Sequence, residues 1–237
     1  MTQQNLPLAA LDIGRNQKCT RIDEEKLLKV IIVAKQHPLT LGELDVALEI
    51  ELNSTFPTSY ADLDLEGDEK RKKWVRKSCG LFVSIIDSRV YLIHQTAKEF
   101  LVRHKDDIFE PQGWKHSIDL ENAHQTLSKI CIMHLHFQDF QDYRMPTNRR
   151  RSYYKHRAPA YVEKYSFLDY SASHWIDHVQ EAHMDRSIWV SKAAELCDVG
   201  DGSSSIWSCI YSTSIYHPYI PSGPSTKTIR TALVSGI

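Results

Sequence analysis

The stretch from Glu69 to Arg103 constrains this chain more than any other, because it sets an order of elements that few folds accommodate. Glu69 to Cys79 reads as a charged helix, with Asp68 placed to cap it and Gly80 placed to end it. Leu81 to Ile86 then alternates around Ser84, Asp87-Ser88 supplies a two-residue turn, and Arg89 to Ile93 a returning strand. His94 follows the hairpin. Thr96 with Glu99 fits a Ser/Thr-x-x-Glu capping box and opens a further helix, on which Ala97, Phe100 and Leu101 share a face.

Upstream, the pattern is helical twice. From Asp23, a candidate N-cap, to Ala34, the residues Leu27, Leu28, Ile31 and Ile32 form an apolar stripe, with Glu24 and Glu25 in the first turn where the helix dipole favours them. His37-Pro38 stops that helix, since the residue before a proline is pushed out of the α region. Thr40 and Glu43 make a second capping box, opening a helix with Leu41, Leu44 and Leu48 on one face. Residues 51–67 read as a loop, broken by Pro57 and Gly67 and acidic at its end (Asp62, Asp64, Glu66), directly before the basic run Lys70 to Lys73. Three helices, a two-stranded wing and a fourth helix predict a winged-helix domain over 22–108, preceded by a polar, aperiodic leader at 1–21.

Pro111, Gly113 and Trp114 mark a boundary, and 115–207 is predicted to be a helical domain. Leu120, Ala123, Leu127, Ile130, Cys131 and Leu135 recur at helical steps, and Ser166 to Ala182 presents Leu168, Ala172, Trp175 and Val179 on one face. Ile188 to Leu196 is a shorter helical pattern. A flexible basic insert near 144–160, centred on Arg149 to Arg157, separates these segments, and Asp198 to Ser205 reads as a loop. The expected fold class is therefore mainly α, a winged helix followed by antiparallel, solenoid-like helices, with an irregular Ser/Thr/Pro-rich tail at 208–237.

Composition narrows the class but not the function. At 237 residues, 42% hydrophobic and 25% charged, the chain is of ordinary globular make-up, and a formal net charge of −1 gives no global pull toward nucleic acid or anionic membrane. Five widely spaced cysteines without a Cys-x-x-Cys pair favour free thiols in a reducing compartment. No run approaches the roughly 18 apolar residues of a membrane span, and Met1 to Gln17 lacks the form of a secretory signal, so a cytoplasmic location is expected.

Two blocks of sequence carry a resemblance. Leu27-Leu28-Lys29-Val30, with Ala34-Lys35-Gln36-His37-Pro38-Leu39-Thr40-Leu41-Gly42-Glu43-Leu44, resembles the start of the winged-helix region of fungal NACHT proteins, which are STAND-class, NLR-like NTPases, many with ankyrin repeats. Cys79-Gly80-Leu81-Phe82-Val83 and Val90-Tyr91-Leu92-Ile93-His94-Gln95-Thr96-Ala97-Lys98-Glu99-Phe100-Leu101 resemble the most specific signature of that region. Phe167-Leu168-Asp169-Tyr170-Ser171-Ala172 with His174-Trp175 is similar to the helical segment before the repeats. The same winged helix occurs in fungal proteins labelled after GPI inositol-deacylase, a label that does not make the module a hydrolase. The resemblance spans about 26–207, and the chain carries neither a Gly-x-x-x-x-Gly-Lys-Ser/Thr P-loop nor an ankyrin Thr-Pro-Leu-His unit. It implies a fragment or truncated relative of a longer architecture, without NTP hydrolysis of its own.

The resemblance also assigns candidate sites. It places His94 where the wider class has the histidine of a Met-His-Asp motif that touches the β-phosphate of ADP; here the triplet is Ile93-His94-Gln95, without the acid. ADP or ATP is then a cofactor only if a longer protein supplies an NTPase core, and the implied partner is a protein, either such a core or an ankyrin-repeat protein.

The alternative is a nucleic-acid-binding winged helix. It would use Lys70, Arg71, Lys72, Lys73, Arg76 and Lys77, although five acidic residues (Asp62, Asp64, Glu66, Asp68, Glu69) lie immediately before that helix. No metal site is expected. His136 points away from Cys131 and His134 on a helix, and His174, His178 and Glu181 share a face without a fourth ligand. No nucleophile elbow and no activated cysteine is evident, Cys79 reading as a packed small hydrophobe, so the expected role is non-catalytic.

Overall fold

The structure is a computed structural model, and it describes residues 21–34, 38–52, 57–103, 113–142, 160–183, 188–197 and 206–211. Helices α1 (Arg21–Val33), α2 (Leu41–Leu52) and α3 (Asp68–Cys79) precede an antiparallel hairpin of β1 (Val83–Ile86) and β2 (Arg89–Leu92), which α4 (Gln95–Leu101) follows. This is a winged helix. Further helices come after it: α5 (Leu120–Leu135), the single turn α6 (Gln138–Gln141), α7 (Leu168–Glu181) and α8 (Ile188–Glu195), with short helical stretches at 160–164 and 206–211.

The hairpin closes as its turn residues dictate. Asp87 and Ser88 both have positive φ, 48° and 58°, the signature of the tight turn whose twist matches that of the strands. The register pairs Val83 with Leu92 and Ile86 with Arg89, so both strands are shorter than the expected 81–86 and 89–93. A third, rudimentary strand joins the sheet. The Val90 N–H donates to the Leu39 carbonyl (2.9 Å) and the Leu41 N–H to the Ser88 carbonyl (2.7 Å), with Thr40 bridged to Arg89. Thr40 also caps α2 reciprocally with Glu43, through bonds of 2.7 and 3.2 Å, so the predicted capping box ties the wing to the helical core.

Three predicted caps are corrected. Asp23 lies inside the first turn of α1, which begins at Arg21. Asp68 is likewise within α3, whose N-cap is Gly67, a residue at φ 76° where a β-carbon would be strained. Gly80 does end α3, its N–H donating to the Arg76 carbonyl, and a β-carbon there would overlap that same carbonyl oxygen. His94, not Thr96, is the N-cap of α4.

One apolar core runs through all these elements. The stripe Leu27, Leu28, Ile31 and Ile32 on α1 is buried, as are Leu41, Leu44 and Leu48 on α2, each such side chain contributing about 1.5–3 kcal/mol. Helix α5 is the shared spine, packed against α1, α2, α7 and α8, so elements on either side of the expected boundary near 108–115 bury their apolar faces together. Residues 206–211 belong to this core, although the sequence suggested an irregular tail from 208. Trp207 meets Trp175 edge-on at 5.3 Å and donates its indole N–H to the Leu196 carbonyl at 2.6 Å. The leader up to residue 20, the insert Arg149 to Arg157, the loop Asp198 to Ser205 and the tail from 212 lie outside the described residues. Cys79, Cys131, Cys197 and Cys209 are buried. Among the described residues no helix is long and apolar enough to cross a membrane.

Candidate functional site

The wing and the helix after it present an apolar surface. Leu81 is 87% exposed, Ile93 58% and Phe100 42%, although each is a side chain that cores usually take. The chain geometry brings their backbones close. The Ile93 N–H donates to the Phe82 carbonyl at 2.8 Å, which brings the entry and the exit of the hairpin together. Phe82 then stacks on Phe100 (6.1 Å between ring centres, 20°) and meets Trp114 edge-on at 6.2 Å. Of the predicted α4 face, only Leu101 is buried; Phe100 stands half out, against Phe82.

His94 sits at the edge of this surface, exposed, at the junction of β2 and α4. Its Nδ1 accepts the Thr96 N–H at 3.2 Å and lies 3.1 Å from the Thr96 hydroxyl. In the neutral ring an accepting Nδ1 leaves the proton on Nε2, so the imidazole has one N–H to donate. Beside the hairpin, an open groove of about 540 Å³ runs between the end of α3 and β1, lined by Arg76, Lys77, Leu81, Phe82 and Trp114 among others.

The six-cation helix does not act as one surface. Lys70, Lys73, Arg76 and Lys77 are exposed and Lys72 is half-buried, but Arg71 is 3% exposed and turned into the protein. Its Nε donates to Oδ1 of Asp45 at 2.7 Å, and a second guanidinium nitrogen pairs with the same oxygen and donates to Oε1 of Glu49 at 3.4 Å. The guanidinium also covers the Trp74 ring at 5.1 Å. Burial raises the Glu49 pKa, an effect that Arg71 partly offsets. Arg71 therefore leaves the set of candidate phosphate contacts.

Residues 15–109 match the family model of the GPI inositol-deacylase winged helix domain. No curated protein and no solved structure matches the chain. The matched segment takes in α1 to α4 and the wing, so the winged helix domain holds His94, the exposed apolar cluster and most of the groove.

The histidines after the winged helix domain are built into helix packing. His134 is fully buried on α5; Tyr60 Oη lies 2.8 Å from its Nε2 and Ser171 Oγ 2.8 Å from its Nδ1. Ser171 in turn donates to the Leu168 carbonyl at 3.2 Å, so Nδ1–H donates to Ser171 and Nε2 accepts from Tyr60. Burial pushes the imidazole pKa down to about 3 and raises those of Tyr60 and Cys131.

His136 instead meets the Lys192 carbonyl at 3.0 Å. His178 is buried between His124 (Nδ1 to Nδ1, 3.0 Å) and the Tyr170 hydroxyl (3.0 Å), whereas Glu181 is exposed, so His174, His178 and Glu181 do not converge. Among the described residues no group of three or more His, Cys, Asp or Glu is arranged to hold a metal ion. The buried pair Asp45–Arg71 and the Tyr60–His134–Ser171 chain are the features that sequence reasoning missed. The four-residue spacing of Arg71, Val75 and Cys79, all buried, is the signal that could have found the first.

Proposed function

We propose that this chain is a non-catalytic regulatory and interaction module whose winged helix meets a protein partner through the face at the wing exit. The observation that carries the reading is the exposure of Leu81, Ile93 and Phe100, three large apolar side chains around the entry and exit of the hairpin near His94, since exposed apolar surface rimmed by polar groups marks an interaction site. Following the resemblance, the partner is an NTPase core of the NACHT type or an ankyrin-repeat protein. His94 would then aim its Nε2–H at a phosphate oxygen of ADP or ATP held by that core. The chain alone supplies too little to hold a nucleotide, because His94 offers one N–H while phosphates are ordinarily cradled by several backbone N–H groups. Isothermal titration of ADP into the purified chain is expected to show no binding. Micromolar affinity would overturn the reading.

Nucleic-acid binding ranks second. With Arg71 spent on Asp45, the basic face of α3 keeps Lys70, Lys72, Lys73, Arg76 and Lys77, but the acidic residues Asp62, Asp64, Glu66, Asp68 and Glu69 stand directly before it, whereas nucleic-acid interfaces are strongly positive. In a low-salt gel shift with random duplex DNA, no retarded band is expected. Retardation abolished by reversing Lys72, Lys73 and Arg76 would favour this second reading instead.

A further inference from the structure

The groove beside α3 has a cationic wall, Arg76 and Lys77, and an apolar wall, Leu81, Phe82 and Trp114, with no carboxylate among its described lining residues. What fills it should carry an apolar side chain flanked by acids. Such a segment exists at the other end of the same helix. Asp64, Leu65 and Glu66 are all exposed, Leu65 at 43%. The segment is also held in place: Oδ2 of Asp45 accepts the backbone N–H groups of Glu66 (2.9 Å) and Gly67 (3.2 Å), so little ordering is needed before it binds. Helix α3 has 12 residues, which puts about 18 Å between its ends, too far for the segment to fold into its own groove.

We propose that this groove receives the Asp64-Leu65-Glu66 segment of a second copy of the chain. Leu65 meets Leu81 and Phe82, while Asp64 and Glu66 meet Arg76 and Lys77, so the second copy competes for Leu81 with the partner of the wing-exit face. Two copies with antiparallel α3 helices make both contacts at once, the self-complementary arrangement of a two-fold dimer. Exposed Lys70 and Lys73 at mid-helix keep the two axes from packing closely, so the contact rests on the helix ends and is sensitive to salt.

Sedimentation velocity of the full chain over a wide concentration range is expected to show a monomer–dimer equilibrium that weakens as salt is raised. The doubly reversed variant Arg76→Glu/Lys77→Glu should weaken the dimer about tenfold or more, and Leu65→Ala should weaken it without changing charge. Mixing the reversed variant with Asp64→Lys/Glu66→Lys should restore a heterodimer, and circular dichroism checks that each variant folds. A monomer at every concentration would overturn the proposal and leave the groove to a different acidic partner. A dimer indifferent to the reversal, or two folded variants that fail to pair, would overturn it equally.

Discussion

Asp45→Ala is expected to lower the unfolding free energy by about 3 kcal/mol, because it leaves the buried Arg71 guanidinium with only the longer contact to Glu49, at 3.4 Å. Asp45 and Arg71 are each 3% exposed, and the carboxylate has four donors: two guanidinium nitrogens and the Glu66 and Gly67 amides. It therefore joins α2 to the start of α3. Arg71→Met should cost less, since Asp45 keeps its two amide donors. The double variant Asp45→Leu/Arg71→Met should regain only part of the loss, because those amides then have no acceptor. Thermal melts at neutral pH read the order directly, at about 2–4 °C per kcal/mol for a chain of this size. Equal and small shifts for Asp45→Ala and Arg71→Met would show the pair to be solvated.

The second large effect is acid destabilisation through His134. Its folded pKa of about 3 lies below the unfolded value of about 6.5. Between those values the unfolded chain binds the proton and the folded chain does not, so stability is complete above about pH 6.5 and is lost as pH falls toward 3. At about 1.4 kcal/mol per pH unit, the loss between pH 7 and pH 4 is about 3–4 kcal/mol. Protonation must put a donor on Nε2, which now accepts from Tyr60, and the surrounding Phe137, Phe140 and Phe167 rings offer the charge no solvation. Urea titrations at several pH values should show a steep slope in the wild type and a shallower one in His134→Gln. The slope, not the absolute stability, is the readout, so a weaker variant remains informative. Parallel slopes would assign the acid sensitivity to other groups.

The local signals were readable residue by residue. The Asp87-Ser88 turn, the Thr40–Glu43 box and the apolar stripes of α1, α2, α5 and α7 all stand within a few residues of their partners. Errors gathered at helix starts. Asp23, Asp68 and Thr96 each have capping chemistry, yet the chain enters its helices one or more residues earlier, for α3 with the Asp45 anchor on Glu66 and Gly67 and for α4 with the His94 side chain as cap. The candidate site divides the same way. His94 at the wing exit follows from the order of elements, whereas the exposure of Leu81, Ile93 and Phe100 depends on which apolar residues the core leaves out.

Sequence alone determined the helices, the hairpin with its turn and the position of His94, because periodicity, caps and turn residues act over distances of a few residues. Only the tertiary structure decided that Arg71 turns inward while its neighbours stay in water, that His134 becomes a buried neutral link, and that α5 joins the winged helix to the helices after it. Those outcomes depend on partners 26 residues away for Asp45 and 74 for Tyr60. Whether a polar side chain is buried is settled by whether distant groups arrive to satisfy it, and no local pattern records that.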